Sequence, residues 1–244
     1  MGNSLLAIIL AGGKGERLRP ITNNLPKPMV ILNDKPLLEY VINQFKKNNI
    51  TDLIISVCYL PNVITDYFGD GNKFGVNISY IYESPDKPLG TAGSIAKLRK
   101  NLNDTFIVCY GDSLRNFNIK ALLKQHSLTK PKATICAYKN KSLNPKSVIV
   151  FNKDHIIQSF VERPRNTELL SHWSNAGFYV LEPNVFKYIP QNEKSDFGKD
   201  IFPALIAKGK RLEAFILDEY FLDIGTIEKV RKAQNDILNG RLMC

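Results

Sequence analysis

The chain reads as an α/β protein: a mixed, mainly parallel sheet flanked by helices, in a single domain. Three observations predict this. Short apolar runs recur along the chain, stretches with helical spacing separate several of them, and small-residue or acidic loops follow where the runs stop. Strands alternating with helices give parallel sheets, which bind ligands at the carboxyl ends of their strands. With 244 residues, 44% of them hydrophobic, the chain is long enough for a large core.

The first run, Leu5 to Leu10, stops at Ala11-Gly12-Gly13-Lys14-Gly15, and Glu16, Arg17 and Arg19 follow, with Pro26-Lys27-Pro28 beyond. Glycines let backbone N–H groups converge on an anion, so a strand emptying into this loop suits a polyphosphate. A tight turn without ligand explains the glycines about as well. It does not explain Lys27, whose two prolines restrict its backbone and suit a charge that must be aimed. Two other phosphate loops are excluded: a Walker loop needs Ser or Thr where Gly15 stands, and a dinucleotide fingerprint needs a third glycine where Leu18 stands.

Pro36 to Asn48 places Leu37, Leu38, Val41, Ile42 and Phe45 at helical spacing, and Asp52 to Tyr59 reads as a buried strand. Pro61 to Phe68 suits a short helix, Gly69-Asp70-Gly71 a turn, and Val76 to Tyr82 a strand. Pro88 to Ser94 is a second small-residue loop, expected to open a helix at Ile95 to Lys100. Thr105 to Tyr110 is another strand, ending in Gly111-Asp112; Asp112 falls at a strand end, though Gly-Asp is also ordinary turn chemistry.

Further on, strands are expected at Ala133 to Tyr138, Ser147 to Phe151, Ile156 to Val161 and Leu212 to Leu217. Ser174-Asn175-Ala176-Gly177 is read as leading into one more, Phe178 to Pro183. Helices are expected near Pro183 to Tyr188, Gly198 to Lys208 and Ile227 to Asn239. Asp223, inside the apolar stretch Tyr220 to Thr226, needs a strong partner, because burying a lone charge costs several kcal/mol. A metal and a helix cap serve that need equally well.

The formal charge of +10 is spread over the whole chain, with no basic stripe interleaved with aromatics. Anionic small molecules are therefore the expected partners, not nucleic acid. No apolar run approaches a membrane span, and the N-terminus carries neither a signal-peptide pattern nor Ser or Thr at position 6 for myristoylation. Cys58, Cys109, Cys136 and Cys244 show no paired spacing, which suits free thiols in a reducing cytoplasm. Self-association is left open.

Together LAGGKGERLRP with PKPM, YFGDGNKFGVNISYIYE with PLGTAG, then GDS, VERP, SNAGFYVLEP and FLDIGT resemble the sugar-1-phosphate nucleotidylyltransferase family, in that order and over nearly the whole chain. The resemblance implies a Rossmann-like nucleotidyltransferase core in residues 1–244, with a nucleotide-binding lobe to about residue 115 and a sugar-binding lobe from about residue 116. It implies that Leu10, Ala11, Gly12, Gly13, Gly15 and Glu16 hold the nucleotide, with Glu83, Leu89, Gly90 and Thr91 toward the base. Arg17 and Lys27 would act on phosphates, Asp112 and Asp223 would carry Mg²⁺, and Glu162, Arg163 and Asn175 would meet the sugar phosphate, with Ser147 beside them. The implied reaction joins a nucleoside triphosphate to a sugar 1-phosphate and releases pyrophosphate. It needs no covalent nucleophile, so His126, His155 and His172 are read as incidental.

The pattern is most similar to mannose- and heptose-1-phosphate guanylyltransferases, implying GTP and a manno-configured sugar. GKGERLRP also resembles a muramic-acid 1-phosphate uridylyltransferase branch. Arg163 replaces a usual lysine, turning a point donor into a planar fork, and Ser147 stands where a glycine is common. A UTP-, dTTP- or CTP-dependent enzyme for glucose or N-acetylmuramate 1-phosphate is thus the alternative, and a silent nucleotide-sugar-binding regulator the alternative of another class. With its end near Cys244, the chain is expected to lack the left-handed β-helix that many relatives append.

Overall fold

The apolar runs become strands, as a computed structural model covering residues 5–140, 142, 144–164 and 171–242 describes them. Cys244 lies outside the described residues. In chain order, β1 (Leu6–Leu10) enters the glycine loop, and three short 3-10 turns lead to a small hairpin, β2 (Ile31–Leu32) and β3 (Lys35–Pro36). Then come α1 (Leu37–Lys47), β4 (Asp52–Val57), α2 (Pro61–Phe68), β5 (Asn77–Tyr82) and a single helical turn, α3 (Gly90–Gly93). After them run β6 (Phe106–Tyr110), β7 (Ser113–Asn116), α4 (Ile119–Thr129), β8 (Ala133–Lys139), β9 (Ser147–Phe151), β10 (Ile157–Glu162) and β11 (Trp173–Leu181). The last elements are α5 (Phe202–Ala207), β12 (Leu212–Leu217), β13 (Tyr220–Asp223) and α6 (Ile227–Leu238).

These elements form two compact units that interleave in sequence. One takes the described residues of Met1–Pro88, Cys109–Phe117 and Glu219–Cys244; the other takes those of Leu89–Val108 and Asn118–Asp218. The chain therefore passes between the units several times.

In the first unit β1, β4 and β5 pair in parallel, Leu10 opposite Ser56 and Val57 opposite Tyr82. Continued past the strand ends, this register brings Gly12, Cys58 and Glu83 side by side. The antiparallel ribbon of β7 and β13 sets Ser113 opposite Asp223. One buried cluster includes Leu18, Val30, Leu32, Leu37, Leu114, Leu222, Ile224, Val230 and Ala233. It joins the glycine loop, hairpin, ribbon and α6, and each of its leucine, isoleucine and valine side chains contributes about 1.5–3 kcal/mol by leaving water.

The second unit mixes both pairing senses: β8 lies antiparallel to β11 and parallel to β12, and β9 and β10 form an antiparallel pair. Phe160, Tyr179, Phe197 and Phe202 stack around one another with ring centroids 4.9 to 5.5 Å apart. The predicted class holds, a mixed sheet with flanking helices.

Several local expectations change. The loop before Ile95 does not open a helix there; Gly90–Gly93 is itself a helical turn, because the amides of Ala92 and Gly93 both donate to the Ser195 carbonyl, and a 3-10 turn follows at Ala96–Lys100. Ser174 to Gly177 do not precede a strand but lie within β11, where the register with β8 shifts between Asn175 and Tyr179 and Gly177 adopts φ 64°. The helix near Gly198 begins as a π-helical turn, Phe197–Ile201, before α5, and Pro183–Tyr188 is 3-10. Neither α4 nor the strands β7 and β13 carry a spacing signal of their own in the sequence.

Candidate active site

Four residues of the first unit meet because each sits beside a buried anchor. Arg17 precedes Leu18, Lys27 precedes the buried Pro28 and Met29, Asp112 lies two residues before Leu114, and Asp223 lies between Leu222 and Ile224. The β7–β13 pairing brings the two aspartates together, and the Ile224 amide donates to the Asp112 carbonyl at 3.2 Å. The Lys27 ammonium donates to Asp112 Oδ2 at 2.6 Å and to Asp223 Oδ1 at 3.2 Å. Burial works against its charge, but the carboxylates of Asp112 and Asp223 outweigh it and hold the pKa above the ordinary lysine value.

The glycine loop lies directly on this lysine. Gly15 has φ 68°, and a Cβ there would stand 2.9 Å from Lys27 Cβ and 3.0 Å from Thr22 Cγ2, so both conformation and space require glycine. Thr22 Oγ1 pins the loop by donating to the Gly15 carbonyl at 2.8 Å. Across the cleft, Arg17 covers Gly225: a Cβ at Gly225 would stand 3.1 Å from Arg17 Nη2 and 3.3 Å from Asp223 Oδ2. Gly13, Lys14, Gly15, Glu16, Arg17, Leu18, Lys27, Asp112 and Gly225 line a cavity of ≈ 420 Å³.

Beside it, the ends of β1 and β5 carry the predicted nucleotide residues Leu10, Ala11, Gly12 and Glu83, with β4 between them. A Cβ at Gly12 would stand 3.0 Å from Cys58 Cβ and 3.6 Å from Glu83 Oε1. The buried Ser56 hydroxyl donates to that same Glu83 oxygen at 3.0 Å. Gly111 donates to the carbonyl of Leu10 at 3.0 Å, which ties the segment carrying Asp112 to the end of β1.

The second unit holds the other predicted residues. Gly90, at φ 77°, packs on the Ser195 carbonyl, and Asp196 Oδ1 accepts from both the amide and the hydroxyl of Thr91, at 3.0 and 3.1 Å. The Leu89 carbonyl accepts from the Ser195 amide at 2.9 Å. Asn175 is held three ways: its amide donates to Ser147 Oγ at 2.9 Å, its Nδ2 to Tyr179 Oη at 2.7 Å, and its Oδ1 accepts from the Gly177 amide at 2.9 Å. Ser147 is buried and engaged in that way, so it positions Asn175.

Glu162, at the end of β10, stands over Gly198, where a Cβ would be 2.7 Å from its Oε2. Burial pushes its pKa up to about 7, with Arg163 and Lys146 pulling it back and Asp196 adding to it. Arg163 follows with φ 50°, its amide donating to the Lys146 carbonyl at 2.7 Å.

Residues 6–240 match the family model for nucleotidyl transferases. The chain belongs to the nucleotidyl transferase family. It is 34% identical to a UTP–glucose-1-phosphate uridylyltransferase of Synechocystis over 97% of this chain and 64% of that protein. It is 32% identical to a mannose-1-phosphate guanylyltransferase of Mycobacterium tuberculosis, over 96% of this chain and 65% of that one. It thus spans just under two thirds of either relative. Against the D-glycero-α-D-manno-heptose 1-phosphate guanylyltransferase of Aneurinibacillus thermoaerophilus it is 32% identical over 95% of this chain and 97% of the other. The crystal structure of HddC from Yersinia pseudotuberculosis complexed with GMP-PN superimposes with a TM-score of 0.78 at 26% identity, covering 96% of this chain and 99% of that one.

Within this family member, sequence reasoning missed several site residues. Lys229 on α6 approaches Asp223 Oδ2 at 3.8 Å, and only the helix phase after Thr226 signals it. The cap of α6 is Thr226, whose side chain accepts from the Lys229 amide, so Asp223 is not spent on capping. Ser56, Asp196 and Tyr179 gave no signal, because their roles depend on strand register and packing. Among the described residues, no helix is long and apolar enough to cross a membrane.

Proposed function

We propose that the chain transfers a nucleotidyl group from a nucleoside triphosphate to a sugar 1-phosphate and releases pyrophosphate. The observation that carries this reading is the Lys27 ammonium between Asp112 and Asp223, beside a glycine loop that contains Lys14 and runs on to Arg17. A sugar-phosphate oxygen attacks the α-phosphorus and the bond to pyrophosphate breaks, so the protein must position reactants and neutralise charge. Arg17, Lys27 and the loop amides do this for the triphosphate, while Glu162, Arg163 and Asn175 take the sugar phosphate.

Asp112 and Asp223 suit Mg²⁺. Their oxygens already converge on one cation, the Lys27 ammonium. A pair of hard carboxylates completed by substrate phosphates and water is the usual Mg²⁺ arrangement. Bound there, the ion would neutralise charge that develops on the phosphates. The buried positions of Cys58, Cys109 and Cys136 are consistent with a reducing cytoplasm.

For substrates we favour GTP with a manno-configured 1-phosphate. The guanylyltransferase from Aneurinibacillus matches along almost its whole length, and the HddC structure is described as a complex with GMP-PN. The second reading, UTP with glucose 1-phosphate, is supported by the Synechocystis relative.

A matrix of four nucleoside triphosphates against mannose, heptose, glucose and N-acetylmuramate 1-phosphates, scored by kcat/KM, tests both readings. GTP should lead by more than about tenfold, a gap of roughly 1.4 kcal/mol; a lead for UTP would replace the first reading by the second. No pyrophosphate with any pair would leave a binding protein. Asp112→Asn and Asp223→Asn should each abolish turnover with the fold intact, and near-normal rates in either would remove its assignment. Lys27→Ala should lower kcat more than affinity.

A further inference from the structure

We propose that the Lys27 ammonium is the resting occupant of the metal position, so that a divalent cation enters as the lysine leaves. The inference rests on the metal reading of Asp112 and Asp223 given above. Nζ lies 2.6 Å from Asp112 Oδ2 and 3.2 Å from Asp223 Oδ1, the two oxygens a shared metal would need. An ammonium and a divalent ion cannot both stand there, since like charges a few ångströms apart repel strongly away from bulk water.

The lysine has few places to go. Its side chain is 8% exposed, prolines restrain its backbone on both sides, and Gly15 lies so near that a Cβ there would stand 2.9 Å from the Lys27 Cβ. Its open direction is the cavity lined by Gly13, Gly15 and Arg17. An anion in that cavity draws the ammonium off the carboxylates and brings oxygens of its own for the metal. Metal and triphosphate therefore bind together, and the protein alone holds metal weakly. Lys229 provides the contrast: its ammonium is 3.8 Å from Asp223 Oδ2, away from the shared position, on a 43% exposed side chain.

The test measures binding of Mn²⁺ alone to the full chain, without nucleotide, from the paramagnetic signal of the free ion. Lys27→Met should bind Mn²⁺ at least about tenfold more tightly than the unaltered protein. The gain should vanish when Asp112→Asn is added, and Lys229→Met should show little of it. Lys27→Gln, which keeps an N–H donor between the carboxylates, covers the case in which the methionine variant does not fold. The idea is overturned if folded Lys27 variants bind Mn²⁺ no better than the unaltered chain, or if Lys229→Met gains as much, which would mean general charge and not occupancy. Saturation of the unaltered chain by Mn²⁺ below about 0.1 mM, the affinity of a preformed cation site, also overturns it. Turnover that still requires Mg²⁺, Asp112 and Asp223 keeps the metal reading in any of these cases. Unchanged turnover in Asp112→Asn would remove both.

Discussion

Glu162 shows how one residue's surroundings set its chemistry. Folded, it keeps its proton up to about pH 7, whereas an ordinary glutamate gives it up near 4.5. The folded state then binds more protons between those values, so Glu162 contributes stability that is fully present below pH 4.5 and lost as pH rises through 7. After allowance for its partial exposure, the loss between pH 5 and 8 is about 2 kcal/mol. His126 acts in the opposite sense: burial lowers its pKa despite Glu182, so its contribution is lost as pH falls below 6.5. Comparing urea midpoints of the unaltered protein and Glu162→Gln at both pH values cancels the histidine. The unaltered protein should lose more stability toward pH 8 than the variant, and equal slopes would refute the assignment. In the proposed enzyme, a carboxylate is the better acceptor for sugar hydroxyls, so the sugar-phosphate KM should fall as pH passes 7, and Glu162→Gln should abolish that inflection.

Elements fix these residues through contacts distant in sequence. Gly90 adopts φ 77°, and a Cβ there would stand 2.6 Å from the Ser195 carbonyl. Gly90→Ala should therefore cost about 1–3 kcal/mol, the range for a strained backbone position, and a thermal melt unchanged from the parent would contradict this packing. The same dependence on distant contacts explains what the sequence revealed and what it hid. β1, β4, α1 and α2 were legible because their apolar spacing is local. The α4 helix was not: Asn118 caps it by accepting from Ala121, but its inward face runs Ile119, Leu122, His126, and a histidine does not read as core. β7 is Ser-Leu-Arg-Asn, a strand only because β13 lies beside it. At the site, Arg17, Lys27, Asp112 and Asp223 stood out as charges in glycine, proline or apolar settings. The engagement of Ser147 by Asn175 did not, since it depends on which residues of β9 and β11 face each other.

For the molecule as a whole, charge makes a demand that neither single residues nor elements express. The chain carries a formal +10, yet its buried acids are individually matched: Glu213 by Arg211 at 2.6 Å, Asp236 by Lys232 and by Arg241 at 3.2 Å, and Glu39 by Lys35 at 3.7 Å, as is the half-buried Asp112 by Lys27. The excess is therefore carried mostly by solvated lysines and arginines, spread along the chain and including Lys14, Arg17 and Arg19 at the glycine loop. Such a field does not select a sugar or a base. It raises the encounter rate of polyanions with the cavity, and salt screens it over a Debye length of about 8–10 Å at physiological strength. In the proposed reaction both substrates are anions, but the triphosphate carries more charge. The kcat/KM for nucleotide should then fall as NaCl rises from about 0.02 to 0.5 M, and more steeply than kcat/KM for the sugar phosphate, while kcat changes little. Lys14→Ala, at the exposed loop, should flatten the nucleotide slope without changing the sugar-phosphate slope. Equal slopes for the two substrates in the unaltered protein would show that the positive charge serves solubility and not capture.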